Sequence, residues 1–126
     1  MIRLLIISTA LVLAGCGSAP MRKVQEFLQP SKGEPALKAG LKQYEDGDYA
    51  GSLKNLQSAI DQGLANRDLV VAHKHAAFIY CVSNRERQCR DEFRKAIAVD
   101  PAMELAPEEA GHPVWGPAFR SVKAGR

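Results

Sequence analysis

Aromatic residues are scarce in this chain: one Trp, three Tyr and four Phe, 6% of 126 residues. That scarcity argues against a Tyr/Trp-rich β-sandwich and against a base-stacking platform for nucleic acid. A strong charge excess is also missing. The formal charge is +3 and the isoelectric point about 8.9, too mild to argue for a polyanion partner. No segment of useful length alternates apolar and polar residues with period two, so strands are not expected. No Cys–His, Ser–His or paired-carboxylate constellation stands beside a glycine-rich loop, so no catalytic residues are assigned and an enzyme is the least favoured class. No apolar run is long enough to span a bilayer, which takes roughly 17–25 residues. What remains is a chain of single-domain length, with 46% hydrophobic and 25% charged residues, close to the globular average.

The longest apolar run, Leu4 to Leu13, follows the basic start Met1-Ile2-Arg3. At about ten residues it has the size of a secretory h-region. It ends in Leu13-Ala14-Gly15-Cys16-Gly17, a string that resembles the bacterial lipobox. The resemblance implies that residues 1–15 are a cleaved lipoprotein signal and that the Cys16 thiol takes a diacylglycerol before its freed amine is acylated. Ala14 and Gly15 are small enough to enter a peptidase cleft in extended form. An ordinary cleaved signal with an accidental cysteine is the alternative. Three acyl chains, at about 0.8 kcal/mol per buried CH₂, make a firm anchor. Gly17 stands where Asp would signal retention in the inner membrane, so the sorting pattern implies an outer-membrane anchor facing the periplasm. The covalent lipid is the only prosthetic group expected, with no other cofactor.

Residues 16–33 read as a linker. Gly17-Ser18-Ala19-Pro20 is turn-prone, Met21 to Leu28 carries Val24 and Leu28 at helical spacing, and Pro30 to Pro35 breaks the pattern again. Extended at about 3.3–3.6 Å per residue, such a tether holds the following domain some tens of ångströms from the bilayer.

From Pro35 the apolar spacing is helical, and residues 34–101 read as two helical hairpins, 34–63 and 68–101. The expected face of the first helix is Ala36, Ala39, Gly40, Gln43 and Tyr44. Asp48 is placed to cap a second helix carrying Leu53, Leu56, Ala59 and Ile60, with Gly63 as its C-cap. A third helix is expected from near Asp68 through Val70, Ala76, Ala77, Phe78 and Tyr80. Ser83-Asn84 turns into a fourth, carrying Cys89, Phe93, Ala96 and Ile97 and ending at Asp100-Pro101. Residues 102–126 read as a capping segment: a polar turn region, then a short helix opened by Pro117. Trp115 and Phe119 are placed to plug the open end of the second hairpin, an exposed partner-binding Trp115 being the alternative. The predicted fold class is therefore all-α.

The two hairpins repeat at a 37-residue offset, Ala59 with Ala96, the length class of helical-hairpin repeats. Gly40, Gly47-Asp48-Tyr49 and Ala59 in the first hairpin resemble the tetratricopeptide repeat, as do Tyr80, Phe93, Ala96 and Pro101 in the second, where Ala76-Ala77 replaces the Leu-Gly pair. Ala36 and Gln43 depart from its large positions, Ser52 and Cys89 replace its small Ala, Leu56 its Phe, and His73 its Trp. The string Gly111-His112-Pro113-Val114-Trp115-Gly116-Pro117-Ala118-Phe119-Arg120 resembles the tail of small tetratricopeptide lipoproteins associated with bacterial type VI secretion.

The repeat resemblance implies a concave groove lined by the first helix of each hairpin. Its candidates are Lys38, Leu41, Tyr44 and Glu45, then Lys74, Phe78 and Val82. Aromatic and aliphatic contacts with two lysines suit a peptide or a helix. The alternative, left open, is that the linker or the tail fills the groove. The implied function is a lipid-anchored periplasmic adaptor for an envelope or secretion-system protein, accessory to type VI secretion. Alternatives are an assembly helper in outer-membrane or pilus biogenesis, or an accessory to a cell-wall enzyme. No nucleic acid and no metal are expected as partners.

Cys81 and Cys89 remain beside the lipidated cysteine. Antiparallel helices joined at Ser83-Asn84 bring them together, and in an oxidising compartment a disulfide is expected. Two buried free thiols are the alternative. His73 and His75, two apart on a helix, point to different faces and do not form a metal pair. Arg85, Arg87, Arg90, Arg94 and Lys95, interleaved with Glu86, Asp91 and Glu92, read as a solvated, self-paired helix face.

Overall fold

A computed structural model describes residues 29–125. The expected leader 1–15, the expected lipidation position Cys16 and the expected linker as far as Leu28 lie outside the described residues. Within them the chain is all helical: α1 Glu34–Glu45, α2 Tyr49–Gln62, α3 Asn66–Val82, α4 Glu86–Val99, α5 Pro107–Ala110 and α6 Trp115–Lys123. Helices α1 and α2 form one antiparallel hairpin and α3 and α4 a second, with α6 laid across the second hairpin. No described helix is long and apolar enough to cross a membrane.

Local chemistry sets the boundaries. Pro35 sits in the first turn of α1, where its missing N–H leaves no bond unmade. Gly47, at φ +79°, turns the chain. Asp48 then caps α2, its Oδ1 accepting from Gly51 N at 3.0 Å, which satisfies one of the free N–H groups of the first turn. Gly63 ends α2 at φ +102°, a conformation that a side chain would strain. Asn84, at φ +58°, makes the tight reversal between α3 and α4.

Three boundaries differ from the sequence pattern. Helix α3 starts at Asn66, because extended Ala65 supplies the carbonyl that accepts from Leu69 N at 2.9 Å. Asp68 is then a first-turn acid, favourable at the positive end of the helix dipole. In the tail, Pro107–Ala110 is a one-turn helix rather than a plain turn, held by Glu109 Oε2, which accepts from Ala106 N at 3.0 Å. Helix α6 begins at Trp115, two residues before Pro117. The His112 carbonyl accepts from Gly116 N at 3.1 Å, so Pro117 falls inside the first turn, where proline is tolerated.

The core has two lobes that share α3. Leu37, Leu56, Ala59, Ala72, Ala76 and Ile79 join the hairpins. Ala77, Phe78, Cys81, Cys89, Phe93, Ala96, Met103, Leu105, Ala118 and Phe119 join the second hairpin to the tail. On α1 the buried face centres on Leu37 and Gly40, and Ala39 is exposed. The helix is rotated from the expected face because Leu37 carries far more apolar surface than Ala39. Small residues set the close approaches. A Cβ on Gly40 would lie 3.0 Å from Leu56 Cδ2, and buried Ser52 donates its hydroxyl to the Gly40 carbonyl at 2.7 Å. Ala77 and Cys89 are wholly buried at the equivalent place in the second hairpin.

Candidate functional site

The face shared by α1, the start of α2, α3 and the tail carries a continuous row of rings. Tyr49 and Tyr44 lie with centroids 5.8 Å apart, Tyr44 and His75 meet edge-on at 5.0 Å, and His75 meets Phe78 at 5.6 Å. Phe78 then stacks on Trp115 at 4.3 Å, and Trp115 on His112 at 3.4 Å. Helical spacing explains the middle of the row, since His75 and Phe78 are three apart on α3 and face α1 together. The Trp115 indole is fixed at its polar end, donating Nε1–H to the Glu109 carbonyl at 2.8 Å. Burial pushes the Tyr44 phenol up. Burial also holds His75 below the ordinary imidazole value, although its ring donates Nδ1–H to the Val71 carbonyl at 2.8 Å.

The seven groove candidates do not form one open surface. Lys38 is exposed and paired with Glu34 at 3.0 Å. Leu41 and Tyr44 are half-buried, Glu45 is exposed, and Val82 is half-buried at the far end of α3. Phe78 requires correction as an accessible residue: it is 2% exposed beneath Trp115. Lys74 is likewise engaged, its ammonium 2.8 Å from Glu109 and 5.8 Å from the centre of the Phe78 ring. The tail thus occupies the α3 part of the face, where covering the Phe78 ring removes apolar surface from water and Glu109 pairs the ammonium beside it. Phe119 packs edge-on against Phe93 at 5.3 Å, so Trp115 and Phe119 cover different rings of the second hairpin.

Cys81 and Cys89 form a disulfide with Cα atoms 5.1 Å apart. It joins the last turn of α3 to the first turn of α4, and both residues are buried. The two histidines diverge, His75 towards Tyr44 and His73 towards α4. There His73 donates Nδ1–H to Glu92 Oε2 at 2.6 Å. Glu92 is 9% exposed, which corrects its place on a solvated face. Burial alone would raise this carboxyl, but hydrogen bonds from His73 and Lys95 outweigh it and hold Glu92 below the usual carboxylate range. The rest of the basic face is solvated, with Asp91 paired to Arg94 at 2.9 Å, except that half-buried Arg90 bonds both Glu86 and Ser121. The burial of Glu92 was legible in the stripe Cys89, Glu92, Phe93, Ala96, all one face of α4. Glu109 and His112 gave no such signal, because only the folded tail brings them to α3.

Two open clefts flank this face. One of about 620 Å³ lies between the first half of α3 and residues 99–104, with Val70, Val71, Lys74 and Met103 among its lining. The other, about 390 Å³, lies beside the disulfide, lined in part by Cys81, Arg90, Val114 and Pro117. Among the described residues no group of three or more His, Cys, Asp or Glu side chains gathers as a metal site would require. The closest acid–histidine pair, His73–Glu92, joins two helices within the interior. The described surface carries stacked rings and paired charges. Compared with protein-family models, curated proteins and solved structures, the chain matches none.

Proposed function

We propose that this protein is a lipid-anchored adaptor of the bacterial envelope, a tetratricopeptide-like module held at the periplasmic side of the outer membrane through Cys16. The observation that carries this reading is the lipobox-like string Leu13-Ala14-Gly15-Cys16 placed ahead of two antiparallel helical hairpins. The Ser52–Gly40 hydrogen bond and the complete burial of Ala77 and Cys89 support the repeat assignment, since those pairs are the small positions of each copy. Two copies fall short of the three or more that usually stabilise a solenoid, and the tail helix covers the end where a third would stack. A lipid confines the module to two dimensions and raises its effective concentration towards a partner. The partner is an envelope protein, and the tail string favours a component of a type VI secretion machine.

Metabolic labelling with a clickable fatty acid tests the anchor. Label on the native protein and none on Cys16→Ala is expected; an unlabelled native protein overturns the lipoprotein reading. Photo-crosslinking in cells from Tyr44, with identification of what is captured, tests the adaptor role. Recovery of self-crosslinks alone overturns it.

A further inference from the structure

From Ala106 to Trp115 no residue is buried, yet this strap covers Phe78, one of the most buried rings in the chain. Its two ends are anchored independently. Met103 and Leu105 enter the core before it, and Gly116, Ala118 and Phe119 after it. Lys123 ties α6 to the Pro101 and Met103 carbonyls at 2.7 and 2.9 Å, and Arg90 ties it to α4 through Ser121 at 2.8 Å. Between those anchors α5 lies alongside only α6 among the described helices, with half-buried Ala110 packed on the edge of the tail core and its carbonyl accepting from Arg120 at 3.2 Å. The strap therefore meets α3 mainly through two side chains: Glu109 on Lys74 and Trp115 on Phe78. A segment with no fully buried residue, held on α3 by two side chains between fixed ends, can lift without unfolding what lies beneath, because local opening follows from sparse burial.

We infer that Lys74 and Phe78 form a two-point receptor for a carboxylate and a flat ring, and that the strap is its resident competitor. The ligand is a partner peptide carrying an acidic residue and an aromatic at the strap's own spacing. The chemistry is specific in both halves. Lys74 and Glu109 are only 19% and 20% exposed, so their attraction is less screened than at an open surface. The Phe78 ring is available to stacking on the face that Trp115 now covers, and ring pairs prefer such geometry. This inference deepens the adaptor reading and rests on it only for the partner's origin; the receptor itself stands on the contacts above.

A synthetic peptide of residues 105–117 is the probe. Trp115 is the only tryptophan, so Trp115→Ala protein is dark and the peptide's indole reports binding by a blue shift. Saturable binding is expected for W115A, with at least ten-fold weaker binding by native protein, whose strap competes. Adding Lys74→Glu to W115A should weaken binding at least ten-fold, and a peptide with Lys in place of its Glu109 should restore it. Glu109→Lys protein is a second opened form, read by anisotropy of dye-labelled peptide, and it should bind as W115A does. The inference falls if both opened forms, helical by circular dichroism and with the disulfide intact, leave the peptide unbound. It falls equally if Lys74→Glu leaves affinity unchanged. Failure here with Cys16 labelled and a partner crosslinked would remove the receptor alone; peptide binding with an unlabelled Cys16 would remove the envelope assignment alone.

Discussion

His73 and Glu92 meet at 2.6 Å between α3 and α4, with side chains 10% and 11% exposed. The pair is the polar centre of the second hairpin, and Lys95 completes it by donating to Glu92 Oε1 at 2.9 Å. Removing the carboxylate strands a buried imidazole. Glu92→Ala should therefore cost about 1–3 kcal/mol in urea unfolding, with Glu92→Gln losing less because it can still accept. A loss for E92A inside the ~0.5 kcal/mol typical of surface changes would show that the pair carries no stability.

Glu92 also sets a pH dependence. Its folded carboxyl titrates below the ordinary 4.5. Below that value the unfolded chain binds the extra proton, so the stabilisation is complete above about pH 4.5 and is lost as the pH falls further. Unfolding midpoints measured from pH 6 to 3 should drop more steeply for native protein than for E92Q.

His75 acts in the same direction at higher pH. Burial holds its pKa below the ordinary 6.5, so the folded state resists protonation that the unfolded chain accepts. Stability should be full above pH 6.5 and decline below it. His75→Phe keeps the ring between Tyr44 and Phe78 and should flatten that part of the curve. An unchanged slope in H75F would place the effect elsewhere.

The Cys81–Cys89 bridge closes a short loop across the Asn84 turn. In the chain-entropy picture such a loop is worth roughly 2–3 kcal/mol. Cys81→Ser with Cys89→Ser should lower stability by about that much while the circular dichroism stays helical. Intact-mass measurement should show the native protein gaining two hydrogens on reduction.

Gly40 tests the first hairpin. A Cβ there already meets Leu56 Cδ2 at 3.0 Å and Leu56 N at 3.2 Å. Gly40→Val should force α1 and α2 apart and cost about 1–3 kcal/mol by overpacking. Ser52→Ala, which leaves the Gly40 carbonyl without its 2.7 Å partner, should cost about 1 kcal/mol. A G40V protein as stable as native would mean that the hairpin does not depend on this approach.

The four main helices were legible because their determinants are local. Asp48 caps α2 through its own first turn, Gly63 ends it at a φ that disfavours side chains, and the stripe Cys89, Phe93, Ala96 repeats on one face of α4. The disulfide was legible for the same reason, since a tight turn leaves two nearby cysteines little choice of separation. Leu37 and Ala39 were not separable by spacing alone. Which of them turns inward depends on where α2 and α3 stand, and that is a tertiary fact.

Helical periodicity, capping residues and the small positions 40, 52, 77 and 89 are written in the chain, because each acts over one or two turns or across one hairpin. The fate of the α3 face was not. Lys74 meets Glu109 across 35 residues, and Phe78 meets Trp115 across a comparable stretch. A charge and a ring so distant in sequence carry no periodic trace of each other. Only packing of α6 on the second hairpin brings them together, and that contact decides whether the face stands open or covered.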